Sequence, residues 1–131
     1  MFPAARYRRF RVEERALLDA LLAGNEPGFD VLRSQLASAS YKAPWFPGSV
    51  SFEIHVAEGL PLAGRGGEDG QGEGQIIRAQ NVYRHDAPKV QENLIGSIFL
   101  WVADGMLSGL EYASANEGVP TSLPTPAQLG D

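Results

Sequence analysis

The 131-residue chain contains no cysteine. That excludes disulfides, thiolate metal centres and cysteine nucleophiles, and it suits a reducing, cytoplasmic setting. Long apolar runs are missing as well. None approaches the roughly 20 residues of a membrane helix, so no membrane span is expected. The basic N-terminus has no apolar h-region behind it, which predicts no signal peptide. Histidine occurs only at His55 and His85. The scattered serines show no Gly-x-Ser-x-Gly elbow. The glycine-rich stretch lacks the Gly-Lys-Ser/Thr of a phosphate loop, the spacing of a dinucleotide fingerprint and the acids of an EF-hand. No cofactor is implied, and enzymatic activity is not expected.

Charge is present but unevenly placed. Residues 1–11 form a basic arm with Arg6, Arg8, Arg9 and Arg11 and no acid. The net charge is −5, and removing these four positive charges leaves −9 on residues 12–131. So acidic a body repels nucleic-acid phosphates and attracts a basic partner. Tyr7 and Phe10 interleave the arginines, a pattern able to stack on single-stranded nucleic acid, but one short arm on an acidic body makes that an unlikely partner.

Residues 12–129 read as one α+β domain, with two N-terminal helices packed on a mostly antiparallel sheet of about four to five strands. The first helix spans Glu13 to Ala23, with Ala16, Leu17, Ala20 and Leu21 on one stripe widened by Leu18 and Leu22. Gly24 ends it. Asn25 is placed to cap a second helix from about Pro27 to Ala37, with Phe29, Leu32 and Leu36 sharing a face. Ser38 to Phe46 reads as an irregular edge strand with Tyr41 and Trp45 buried. Val50 to Val56 alternates cleanly, putting Val50, Phe52, Ile54 and Val56 on one face and Ser51, Glu53 and His55 on the other. Residues 58–74 form a glycine-dense flexible loop. Gln75 to Arg84 resumes as a strand, with Ile77, Ala79, Asn81 and Tyr83 opposite Ile76, Arg78, Gln80 and Val82. Residues 114–131 read as a proline-containing extended tail held by Leu123 and Leu129.

The strongest local signal is Asp104-Gly105 between two apolar runs, a two-residue type I′ hairpin in which both turn residues need positive φ. Regular pairing across that turn sets Val102 opposite Leu107, Leu100 opposite Gly109 and Ile98 opposite Glu111 on one face. It sets Trp101 opposite Ser108, Phe99 opposite Leu110 and Ser97 opposite Tyr112 on the other. Both faces then carry large apolar groups, and two helices cover one of them. The other is covered by the proline-rich tail, by a second copy of the chain, or by a foreign partner.

The candidate contact residues follow from this. Phe99, Trp101 and Tyr112 are the aromatic anchors. Glu53, Glu111, Glu117 and the loop acids Glu68, Asp69 and Glu73 supply negative charge. His55 lies beside Glu53 on a polar strand face, roughly 7 Å away. That pair would also serve acid–base or metal chemistry if a third group joined it.

Two segments resemble known proteins. Glu14-Arg15-Ala16-Leu17-Leu18 through Leu21-Leu22-Ala23, followed by Pro27-Gly28-Phe29 and Leu32-Arg33-Ser34-Gln35-Leu36-Ala37, is similar to the opening of small uncharacterised actinobacterial proteins. The late segment Phe99 to Tyr112 resembles their closing hairpin. The pattern Asp-Gly-x-Leu-Ser-x-Leu-Glu with a proline-containing tail also resembles immunity proteins of bacterial polymorphic toxin systems. The likeness covers about half the chain. It departs at Trp45 to Ser51, where the actinobacterial proteins carry a Cys/Gly-rich turn, and at the glycine insert. The resemblance implies a non-enzymatic protein-binding module that covers a basic toxin domain. The alternatives are a homo-oligomeric structural domain, or a small enzyme or metal protein using His55 and Glu53.

Overall fold

A computed structural model describes residues 7–63, 74–115 and 118–131. Helix α1 (Val12–Leu21) and helix α2 (Phe29–Leu36) precede six strands, β1 (Ser40–Pro44), β2 (Phe52–His55), β3 (Gln75–Tyr83), β4 (Leu94–Ala103), β5 (Met106–Ser114) and β6 (Leu129–Gly130). The strands form one sheet in the order β1-β2-β5-β4-β3-β6, with every pairing antiparallel. The sheet has six strands rather than four to five. The addition is β6, in the segment read as an extended tail. Two residues carry no periodicity, so only their pairing with Asn81 and Val82 identifies them as a strand.

The helical stripe behaves as its spacing dictates. Leu17, Leu18, Leu21 and Leu22 are fully buried, and Phe29, Leu32 and Leu36 nearly so. They form a single apolar cluster with Phe52, Ile54, Val82, Ile98, Leu100, Leu107 and Leu110 of the sheet. Helix α2 starts later than expected. Gly28, at φ +87°, is its N-cap instead of Asn25. Arg33 of α2 donates from Nη1 to the carbonyls of Leu22 and Gly24, satisfying acceptors left over at the C-terminus of α1.

The N-terminal segment docks on the sheet edge. Arg8 forms an isolated bridge with Tyr41, and the Tyr41 N–H donates to the Arg8 carbonyl at 2.8 Å. The Arg8 guanidinium lies 3.6 Å from the Tyr41 ring centroid and reaches both oxygens of Glu14, at 2.9 and 2.7 Å. The Arg11 N–H adds a third bond to Glu14 at 2.7 Å. Burial opposes ionisation of Glu14. The Arg8 hydrogen bonds, the Arg11 N–H and the charges of both arginines outweigh it and hold the carboxyl below the usual range.

The hairpin turn is Asp104 at φ 54° and Gly105 at φ 79°, the two positive values that a type I′ turn requires. The regular ladder beyond it does not hold. Val102 pairs with Leu107, but Trp101 pairs with Gly109, so Ser108 is an extra residue in β5. From there onward every β5 side chain sits on the face opposite to the one regular pairing assigns. Leu110 falls opposite Leu100 and is fully buried with it, while Glu111 falls opposite Phe99. Tyr112 falls opposite Ile98, on the core face, and does not share a face with Phe99 and Trp101. A second extra residue, Ile77 in β3, does the same there. Ile77 packs against the core, and Ile76, opposite Trp101, is left 45% exposed. The bulge at Ser108 has a plain physical cause. A side-chain period of two cannot place both Leu107 and Leu110 inward, and one extra residue between them restores the sorting.

Candidate functional site

The bulge at Ser108 collects a distinct set of groups on the face turned away from the core. Phe99 and Trp101 of β4 remain half-buried there, with Glu111 of β5 opposite Phe99 and the Trp101 indole donating from Nε1 to Glu111 Oε1 at 3.0 Å. Gly74 leans on the Trp101 ring, and a Cβ added to it would lie 3.0 Å from Cε3. The expected two-sided apolar hairpin is thus an apolar core face and an outer face of aromatics around one carboxylate.

Trp45 and Phe46 extend this surface. Trp45 was expected to be buried and is 41% exposed, and Phe46 is 47% exposed. The Trp45 N–H donates to the Ser51 carbonyl, which turns the chain back into β2 and lays the indole over Gly109. A side chain at Gly109 would meet Trp45 Nε1 at 3.5 Å and the Phe52 carbonyl at 3.1 Å, so the ring rests where glycine leaves room. The available sequence signal was the pair Trp45-Phe46 directly before the Pro47-Gly48 turn. Two adjacent aromatics in a tight connection cannot both point into one core.

Beside Trp45 lies a groove of about 100 Å³. Trp45, Phe46, Val119 and Pro120 supply its apolar walls, and Glu111, Tyr112 and Ser51 supply polar atoms. The Ser51 hydroxyl accepts the Tyr112 N–H at 2.9 Å, tying β5 to the start of β2 at the groove. Burial pushes the Tyr112 phenol up from its ordinary value, so it is a neutral hydrogen-bonding group at neutral pH.

The other expected residues lie as follows. Glu53 is exposed on the outer side of β2, opposite Gly109, and pairs with Lys42 at 3.8 Å. His55 is half-buried with its ring centroid 4.6 Å from that of Tyr7. Glu53, Phe99, Trp101 and Glu111 therefore share one sheet face. Tyr112 reaches their neighbourhood only through the groove. Glu68, Asp69, Glu73 and Glu117 lie outside the described residues. Among the described residues no three His, Cys, Asp or Glu side chains gather as metal ligands, and no helix is long and apolar enough to cross a membrane.

Of the described residues after β5, Val119 and Pro120 lie at the groove beside Trp45 and Phe46. The end of this segment passes the Pro126–Gln128 turn, which contacts α1, and enters the sheet at the edge of β3. Leu123 packs on the core and Leu129 is buried there. Comparison of the chain with protein-family models, with curated proteins and with solved structures gives no match, so the case for this surface rests on its own geometry.

Proposed function

We propose that the protein is a non-enzymatic protein-binding module. Its most concrete form is an immunity protein that neutralises a cognate bacterial toxin in the cytoplasm by covering the toxin's basic active-site surface. The observation that carries this reading is the outer sheet face, where Trp45, Phe46, Phe99 and Trp101 stay accessible around Glu111. Exposed aromatic clusters of this kind are favoured as interface anchors, and the antiparallel sheet that carries Phe99 and Trp101 presents those two with little ordering cost on binding. The net charge of −5 supports a basic partner, because it speeds encounter and disfavours acidic competitors.

The test is co-expression with the product of the adjacent reading frame, followed by capture at low and high salt. A toxic product that this chain silences, captured in a salt-sensitive complex and lost with Trp45→Ser/Phe46→Ser, is the expected result. No partner retained at low salt, together with no protection on co-expression, overturns the reading.

A second reading, self-association, is supported by β3. Strand β6 pairs only with Asn81 and Val82, so among the described residues the rest of that edge has no strand partner, and Ile76 beside it is 45% exposed. Light scattering on the purified chain separates the two, since a stable dimer closing this edge would be concentration-dependent and indifferent to Trp45 and Phe46.

A further inference from the structure

The groove beside Trp45 has a more specific chemistry than the face around it. It places one carboxylate among aromatic walls. Glu111 Oε1 is engaged by the Trp101 indole at 3.0 Å, and among the described residues Oε2 has no hydrogen-bond donor. Among the described residues no cationic side chain lines the groove. A half-buried carboxylate with an unused oxygen, in a groove that Trp45 and Phe46 also line, is suited to a cation that brings both a flat face and N–H donors. Val119 and Pro120 give an apolar wall along which the aliphatic stem of such a side chain can lie.

The same molecule already accommodates one arginine in this way. Arg8 sits with its guanidinium 3.6 Å from the Tyr41 ring centroid while its two terminal nitrogens meet the two Glu14 oxygens at 2.9 and 2.7 Å. Ring on one side and carboxylate on the other is the combination that the groove offers empty-handed. Arginine suits it better than lysine. Guanidinium is planar, stacks on rings, gives up its hydration more readily and presents a fork of donors, whereas the ammonium is a compact, strongly hydrated point charge.

We infer that the groove of Trp45, Phe46, Glu111 and Tyr112 receives an arginine side chain of the partner protein, stacked on the aromatic wall and hydrogen-bonded to Glu111. This rests on the protein-binding reading and names the residue that anchors it. The small-molecule part of the test does not need the partner.

The probe is N-acetyl-arginine-N-methylamide, with the lysine analogue as comparison, titrated into the full chain while the two indole N–H resonances are followed. The arginine probe should shift the Trp45 and Trp101 indoles saturably, and Glu111→Gln should weaken that binding about tenfold. The lysine probe should bind several times more weakly. The indole spectrum of the free variant shows whether the fold is kept, and Phe46→Ser, on an exposed ring, gives a second variant that should also weaken the probe. Indoles that do not move, or that move equally in wild type and Glu111→Gln, overturn the inference, as does a lysine probe that binds as tightly. Failure here is separable from failure of the broader reading. If a partner is captured by wild type and Glu111→Gln alike but lost with Trp45→Ser/Phe46→Ser, the arginine site falls and the binding face stands.

Discussion

Gln35 is the side chain whose removal should be felt most. It is fully buried on α2 and ties three separate segments together. Its Nε2 donates to the Gly105 carbonyl at 2.8 Å and to the Pro61 carbonyl at 3.0 Å, and its Oε1 accepts the Leu107 N–H at 2.9 Å. Leucine has nearly the same volume, so Gln35→Leu leaves packing intact and isolates the polar term. The Leu107 amide, next to the bulge, would be a buried orphan costing about 1–3 kcal/mol. The Gly105 carbonyl keeps its bond from Ala63 N–H at 2.9 Å, and its loss is the smaller one, about 0.5–1.5 kcal/mol. The Pro61 carbonyl is partly accessible and water can replace the amide. The added apolar burial offsets some of this, which leaves a net destabilisation of about 1–4 kcal/mol. Urea unfolding followed by tryptophan fluorescence measures it, and amide exchange at Leu107 should accelerate far beyond the global loss. Gln35→Glu sharpens the case. It keeps the acceptor but aims a carboxylate at two carbonyls, so it should be worse at neutral pH and recover in acid as the carboxyl protonates and regains a donor. A Gln35→Leu protein within about 0.5 kcal/mol of wild type, with the Leu107 amide still protected, would refute the reasoning.

Further outcomes follow from other sites. Glu14 ionises more readily folded than unfolded, so its contribution is present above the ordinary glutamate value and is lost as pH falls through its lower folded value. Glu14→Gln should therefore cost about 1–2 kcal/mol at pH 7, with the gap to wild type closing in acid below about pH 4, read by urea unfolding across the range. Gly105→Ala adds a Cβ at φ +79°, 2.9 Å from Leu62 Cβ and 3.0 Å from the Ala63 carbonyl, whereas Gly48→Ala meets only open space at φ +86°. Thermal unfolding should show about 1 kcal/mol lost at Gly48 and about 2–3 kcal/mol at Gly105, the difference reporting the packed loop beneath the turn. Deleting Ser108 removes the bulge but leaves Trp101 opposite Gly109, Leu100 opposite Leu110 and Phe99 opposite Glu111 in an unbroken ladder, so the sorting of side chains is kept. A folded protein by circular dichroism, with a loss of no more than about 2 kcal/mol in urea unfolding, is expected, and an unfolded chain would contradict the sorting role assigned to the bulge.

Much of the architecture was legible in the residues. Four leucines at helical spacing specify the buried stripe of α1, and the alternation of Phe52, Ile54 and Val56 specifies the core face of β2, because burial there follows from the geometry of one element alone. Asp104-Gly105 determines its own turn, since few residue pairs tolerate two positive φ values in succession. The strand order β1-β2-β5-β4-β3-β6 was not legible, nor was the recruitment of Leu129–Gly130 as a strand, because both depend on contacts far apart in the chain. The candidate site divided along the same line. The sequence marked Phe99, Trp101 and Glu111 as large or charged groups in a hairpin, yet regular pairing put Glu111 on the wrong face and Tyr112 beside the wrong neighbours. One extra residue at Ser108 reverses every later side chain of β5. Whether a strand accepts that residue is decided by the core it must fill, through the burial of Leu110 against Leu100 and Phe52, and not by any local preference of Ser108 itself.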